Sequence, residues 1–229
     1  MSQTPFDIQR AAVVGAGTMG RGIVMCLANA GVAVQWVDNN PQMLEQALVA
    51  VAETYAHGVR QGRIDQGEAD ARIARVTRAD DYAAIREVDL VIEAVYENLE
   101  LKQTIFRELD GLLKPEAILA SNTSALDIDA IAAVTRRPAQ VLGLHFFSPA
   151  HIMKLLEIVR GAHTSTAVLD AALVLGKRMG KVSVVSGNCH GFIGNRMLHP
   201  YVLEARKMLL EGAFPVSYTH LTLPTIYSV

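Results

Sequence analysis

Cysteine is almost absent from this chain. Only Cys26 and Cys189 occur in 229 residues, and they form no CxxC pair. That excludes a disulfide framework and a cysteine-rich metal site, and it fits a reduced compartment. Charge of one sign is also lacking: 21 basic residues face 23 acidic ones, a net charge of −2. Without a basic field, nucleic acid is not an expected partner. No apolar run approaches the ~18 residues of a membrane span, so no membrane association is expected. The opening "MSQTPFDIQR" has no apolar core of a signal peptide, and a cytoplasmic location is expected. His151, His163, His190 and His199 show no metal-ligand spacing and read as structural or surface residues, so no metal is expected.

What the chain does have is apolar residue, 51% of the total, enough for a sizeable core. Short apolar runs at 11–15, 32–38, 88–95, 117–122, 140–147, 154–159 and 181–186 read as buried strands. Helical patterns lie between them. One runs from Thr18 to Ala30 and stops at Gly31. Another starts at Pro41 behind an Asn40 cap, and its length to about Arg75 predicts two helices protruding from the sheet. Leu101, Ile105, Leu109 and Leu112 mark a helix face ended by Pro115. This alternation predicts an α/β fold with a doubly wound, mostly parallel sheet of the Rossmann type. After "SGN" (186–188) the pattern becomes helical, with Ile193, Met197, Tyr201, Ala205 and Met208 on one face and a kink expected at Pro200. The expected division is a nucleotide-binding domain over 1–186 and the start of a helical domain over 187–215. The segment "VSYTHLTLPTIYSV" (216–229) has no amphipathic period, and its first residues resemble a translated sequencing-library adapter. It is expected to be non-native, with the natural chain continuing past Pro215.

"VVGAGTMGRG" places Gly15, Gly17 and Gly20 in the GxGxxG spacing between a strand and a helix. The first glycine suits a tight turn, the second the approach of backbone to a pyrophosphate, the third the packing of helix on strand. The loop alone does not separate NAD from FAD. Asp38 ends the second strand, where a carboxylate accepts bonds from adenosine ribose hydroxyls. Asn39 and Asn40 follow it, not arginine, so NAD is expected over NADP.

His145 ends one apolar run in "GLHFFSPAHIMKLLEIVRG", and Glu157 lies inside the next. Buried ionisable groups need partners, and pairing the two resolves both oddities. Such a pair either ties two strands or serves as a base and its orienting carboxylate. Histidine suits proton removal near neutral pH, and a carboxylate on the other ring nitrogen fixes its tautomer.

"GAGTMGRGI", "EAVYENLELK", "SNTSAL", "HFFSPAHIMKLLEIV" and "GNCHGFIGNRM" resemble the L-3-hydroxyacyl-CoA dehydrogenases over about residues 8–215. Ser148 and "GNCHGFIGNRM" look more like the dehydrogenase part of multifunctional β-oxidation enzymes. The resemblance implies reversible, NAD-dependent oxidation of the 3-hydroxyl of an acyl-CoA. It implies His145 as general base, oriented by Glu157, and Ser124 and Asn195 as substrate-binding. The cofactor-binding set becomes Gly15, Gly17, Thr18, Met19, Gly20, Asp38, Glu97, Lys102, Asn122 and Ser148. A homodimer is implied only if the rest of the helical domain is present. Some of these residues have plainer readings. Ser124 also reads as a helix cap, Asn195 as a solvated or capping amide, Glu97 as a helix-start acid, Lys102 as a solvated lysine and Ser148 as a turn residue. The alternatives are a dehydrogenase of a hydroxy acid without CoA, a non-catalytic NAD-binding module, and a non-functional fragment.

Overall fold

A computed structural model describes residues 7–212; the expectation for 216–229 lies outside the described residues. The strands are β1 (Arg10–Val14), β2 (Ala33–Val37), β3 (Val76–Arg78), β4 (Leu90–Glu93), β5 (Ile118–Ser121), β6 (Val141–Phe146), β7 (Leu155–Arg160) and β8 (Val182–Gly187). The helices are α1 (Thr18–Asn29), α2 (Pro41–Arg60), α3 (Gln66–Ala74), α4 (Leu99–Leu112), α5 (Ile128–Ala132), α6 (Thr166–Arg178) and α7 (Gly194–Leu210). The eight strands form one sheet in the order β3-β2-β1-β4-β5-β6-β7-β8. All neighbours are parallel except β6 and β7. The doubly wound expectation therefore holds, and the order reverses between β1 and β4, where such sheets bind ligands.

The sheet divides the core into two layers. On one face Ile23 and Leu27 of α1, Leu44 of α2, and Leu169 and Leu175 of α6 cover Val13, Trp36 and Ile158. On the other, Phe106 and Leu109 of α4 and Ile128 and Ile131 of α5 cover Val14, Val91, Leu119 and Val141. Strands buried on both faces read as continuous apolar runs, which is why the inner strands were legible, while the edge strand β8 showed an apolar run although Val182, Val184 and Val185 are exposed.

Three readings need correction. β3 was not foreseen; at three residues, "VTR", it is too short to show a pattern. The two helices after Pro41 do form, and Asn40 caps α2 by accepting from the Gln42 and Met43 amides. They do not simply protrude, because Leu44, Ala47, Val51 and Tyr55 of α2 are buried in the core. The inward face of α4 is turned from the expected one: Lys102, Ile105, Phe106 and Leu109 are buried, while Leu101 and Leu112 are exposed. Apart from these corrections, α7 holds Pro200 inside its span, and none of its residues is buried among those described.

Candidate active site

The glycine loop sits at the carboxyl end of β1. Gly15 has φ +109°, and a Cβ there would lie 2.7 Å from the Ala94 carbonyl oxygen. A Cβ on Gly20 would lie 2.0 Å from the Gly15 oxygen, so only glycine lets α1 approach its own strand this closely. Gly17 is different: a Cβ there would meet nothing within 4 Å. Its space is open, directly over the start of α1, where first-turn amides have no carbonyl of their own helix to bond and no side chain caps them. This is the shape and polarity a pyrophosphate needs. Trp36 holds the loop from below, donating its indole N–H to the Gly15 oxygen at 2.9 Å. Asp38 holds it from the side, accepting from the Ala16 amide at 2.6 Å and from the Asn40 amide at 2.8 Å. Thr18 is exposed and Met19 half-buried in the first turn of α1.

Across the cleft, His145 and Glu157 are register partners in the antiparallel pair β6–β7. The His145 Nδ1 lies 2.7 Å from Glu157 Oε2. The other oxygen, Oε1, accepts from the amides of Gly194 at 2.6 Å and Ile193 at 3.2 Å. The carboxylate is thus held at both oxygens, and Nδ1 is committed to it, leaving Nε2 as the nitrogen available for proton transfer. Phe147 and Phe192 flank the imidazole, with ring centroids at 4.5 Å and 5.7 Å. Phe192 adopts φ +47°, a left-handed conformation unusual for an aromatic residue, and is buried against the histidine.

The smaller polar residues are joined in a chain. Glu97 Oε1 accepts from the Thr123 hydroxyl at 2.6 Å and from the Ser124 amide and hydroxyl at 2.8 Å and 3.1 Å. Burial would raise the Glu97 carboxyl, but the Thr123 hydroxyl, the charge of Lys102 and the Ser124 donors hold it below the ordinary carboxylate value. Asn195 donates to the Ser124 carbonyl at 3.3 Å. Ser124 does not cap α5: Asp127 does, accepting from the Asp129 and Ala130 amides. Asn122 bridges strands by accepting from the Phe146 amide at 3.0 Å. Ser148 is exposed in the connection after β6 and stands apart from this chain of bonds.

Lys102 corrects the solvated reading of that residue. It is 1% exposed, and its ammonium donates to Glu93 Oε1 at 2.7 Å. Glu93 is fully buried at the end of β4 and was missed in the sequence, although a carboxylate inside the apolar run "VIEAV" is the same signal that marked Glu157. Among the described residues, no cluster of three or more His, Cys, Asp or Glu side chains could hold a metal ion.

The family model described as "3-hydroxyacyl-CoA dehydrogenase, NAD binding domain" matches residues 10–189. The chain belongs to the 3-hydroxyacyl-CoA dehydrogenase family. Among curated proteins it is 49% identical to a peroxisomal bifunctional enzyme of Danio rerio over 92% of this chain and 29% of that protein. It is 38% identical to a probable 3-hydroxybutyryl-CoA dehydrogenase of Bacillus subtilis, over 90% of this chain and 72% of that one. Among solved structures, FadB2 of M. tuberculosis superposes with a TM-score of 0.88 at 36% identity, covering 92% of this chain and 74% of that one. The dehydrogenase part of multifunctional enzyme 1 from C. elegans gives 0.74 at 30% identity, covering 92% and 48%. The chain spans less than a third of the peroxisomal relatives it matches. The matched region is the NAD-binding domain of the family, and the open space over Gly17 fits that cofactor.

Proposed function

We propose that this chain supplies the cofactor domain and the catalytic base of an NAD-dependent L-3-hydroxyacyl-CoA dehydrogenase of fatty-acid β-oxidation. The observation that carries this reading is the His145–Glu157 pair, set at the same sheet edge as the glycine loop. NAD, when bound, supplies the hydride acceptor. His145 takes the hydroxyl proton at Nε2. Glu157 keeps Nδ1 protonated and offsets the positive charge that the ring gains. Phe147 and Phe192 keep water from the ring. Ser124 and Asn195, joined by their hydrogen bond, stand where the substrate oxygen is to be held.

The proposed division is a cofactor domain to residue 186 and a helical domain that begins at 187. Completion of that helical domain would cover the exposed Met197, Tyr201 and Leu203 of α7 and supply a homodimer interface. None of the described helices is long and apolar enough to cross a membrane. The peroxisomal names of several relatives make the peroxisome, as well as the cytoplasm, a proposed location.

The test is turnover of acetoacetyl-CoA with NADH, measured beside free 3-keto acids, in the chain alone and with a family helical domain joined after residue 210. Reduction of the CoA ester by the joined protein is expected. Reduction of free acids alone would make it a dehydrogenase of another substrate class, and NADH binding without turnover would make it a binding module.

A further inference from the structure

The Lys102 ammonium lies between two carboxylates and is not shared equally. It is 2.7 Å from Glu93 Oε1 and 3.4 Å from Glu97 Oε2. Glu93 is built to win this competition. Its Oε1 also accepts from the Val95 amide at 2.7 Å, and its Oε2 accepts from the Ser121 hydroxyl at 2.7 Å, so the carboxylate cannot turn away. Lys102 in turn donates to the Val95 carbonyl at 3.4 Å. Both ends of the ion pair thus grip the backbone just after β4. That backbone forms a wall of the nucleotide cleft, because the Ala94 carbonyl abuts Gly15.

A buried ion pair is weak as a stabilising device, since well-packed apolar side chains do as well. Its retention here has a positional consequence. With Lys102 drawn inward, Oε2 of the part-exposed Glu97 keeps only the longer 3.4 Å contact with the ammonium, while Oε1 is filled by Thr123 and Ser124. The sheet order fixes which half of a dinucleotide this serves. Asp38 follows β2 on one side of the glycine loop, and Glu93, Ser121 and His145 lie at the carboxyl ends of β4, β5 and β6 on the other. The half beside His145 is the nicotinamide half.

We propose that Glu93 is a positioning residue for the nicotinamide half of the cofactor: it holds Lys102 inward and so keeps the outer oxygen of Glu97 free to accept a hydrogen bond from it. This rests on the dehydrogenase reading above. The test compares binding of NADH, by its fluorescence, with binding of ADP, which lacks the nicotinamide half, in the unmodified chain and in Glu93→Gln. In Glu93→Gln the NADH dissociation constant should rise about tenfold, the worth of one charge-assisted hydrogen bond. ADP binding should not change. Equal weakening of both ligands, or of neither, overturns the assignment. Should Glu93→Gln not fold, Ser121→Ala loosens the hold on Glu93 Oε2 and keeps both charges; a several-fold rise in the NADH dissociation constant with ADP binding unchanged supports the assignment. A Ser121→Ala variant that binds both ligands as the unmodified chain does, or that weakens both equally, makes the pair a core element only and overturns it. An unmodified chain that binds no NADH at all overturns the dehydrogenase reading with it, whereas NADH binding that ignores Glu93 overturns this inference alone.

Discussion

His145 and Glu157 stand directly opposite one another across the one antiparallel pairing among the described strands, with Nδ1 and Oε2 2.7 Å apart. Two side chains twelve residues apart in sequence are therefore held by strand register rather than by a flexible loop. In a protein with the helical domain joined, His145→Gln should lower turnover by roughly 10²–10⁴, the usual share of a general base. Glu157→Gln should lower it as well. The double variant should lose far less than the two losses combined, because the pair acts as a unit. Rates that multiply independently would show the pair to be a tie between strands. NADH affinity of His145→Gln should stay within a factor of about two, if the glycine loop and Asp38 hold the cofactor as proposed.

Asp38 should set the cofactor preference. Its carboxylate would repel a 2′-phosphate, and no arginine follows it. Replacing it with serine should narrow the gap between NADH and NADPH dissociation constants. It should also weaken NADH itself, because Asp38 accepts from the Ala16 amide and so braces the glycine loop. Equal binding of the two cofactors by the unmodified chain would contradict this reading.

The glycines of the loop should separate under alanine substitution. Gly20→Ala drives a methyl into the Gly15 carbonyl and should destabilise the fold by about 1–3 kcal/mol or more, as overpacking does. Gly17→Ala meets open space, so its melting temperature should hardly move, while NADH binding weakens because the methyl occupies the pyrophosphate's place. Thermal denaturation and NADH titration on the same two variants check both halves.

Acid should unfold the domain through carboxylates that cation and amide partners hold ionised. Burial would raise Asp110, but bonds from Arg136 and Arg137 outweigh it and keep it below its ordinary value. Burial would likewise raise Asp89, which Lys114 and the Arg10 and Gln9 amides hold down. Folded-state values below the unfolded ones mean that the stabilisation is complete above a pH of about 4 and is lost as pH falls through the folded values. Asp110→Asn should give a lower plateau and a shallower acid limb in urea midpoints. An acid limb of unchanged slope would mean that other groups govern it.

The glycine loop, the strand set and the pair in β6 and β7 were legible because each leaves a periodic or compositional mark. A strand buried on both faces cannot hide its apolar run, and a carboxylate inside one stands out. Lys102 was not legible as a buried residue, since a lysine beside Leu101 on a helix reads as solvated surface until its partner is known. The partner, Glu93, was visible by the rule that exposed Glu157, but nothing in the sequence says that β4 and α4 bring the two together. Phe192 was hidden for a different reason. Its left-handed backbone is imposed by the turn between β8 and α7, and no pattern announces a non-glycine residue there.

The reversal of β7 also frees the dyad from the length of the chain that joins it. Residues 147–154 lead from one member of the pair to the other, yet they do not set its geometry, which belongs to the hydrogen-bond ladder between the strands. That connection is exposed at Ser148, Ile152 and Met153. Its middle is anchored, with Ala150 buried against Gly22, so its freedom to vary lies in those exposed side chains, and His145 and Glu157 stay in contact whatever they are. The molecule thus holds the pair through its strand ladder and sets beside it a segment whose exposed side chains can change without moving the pair.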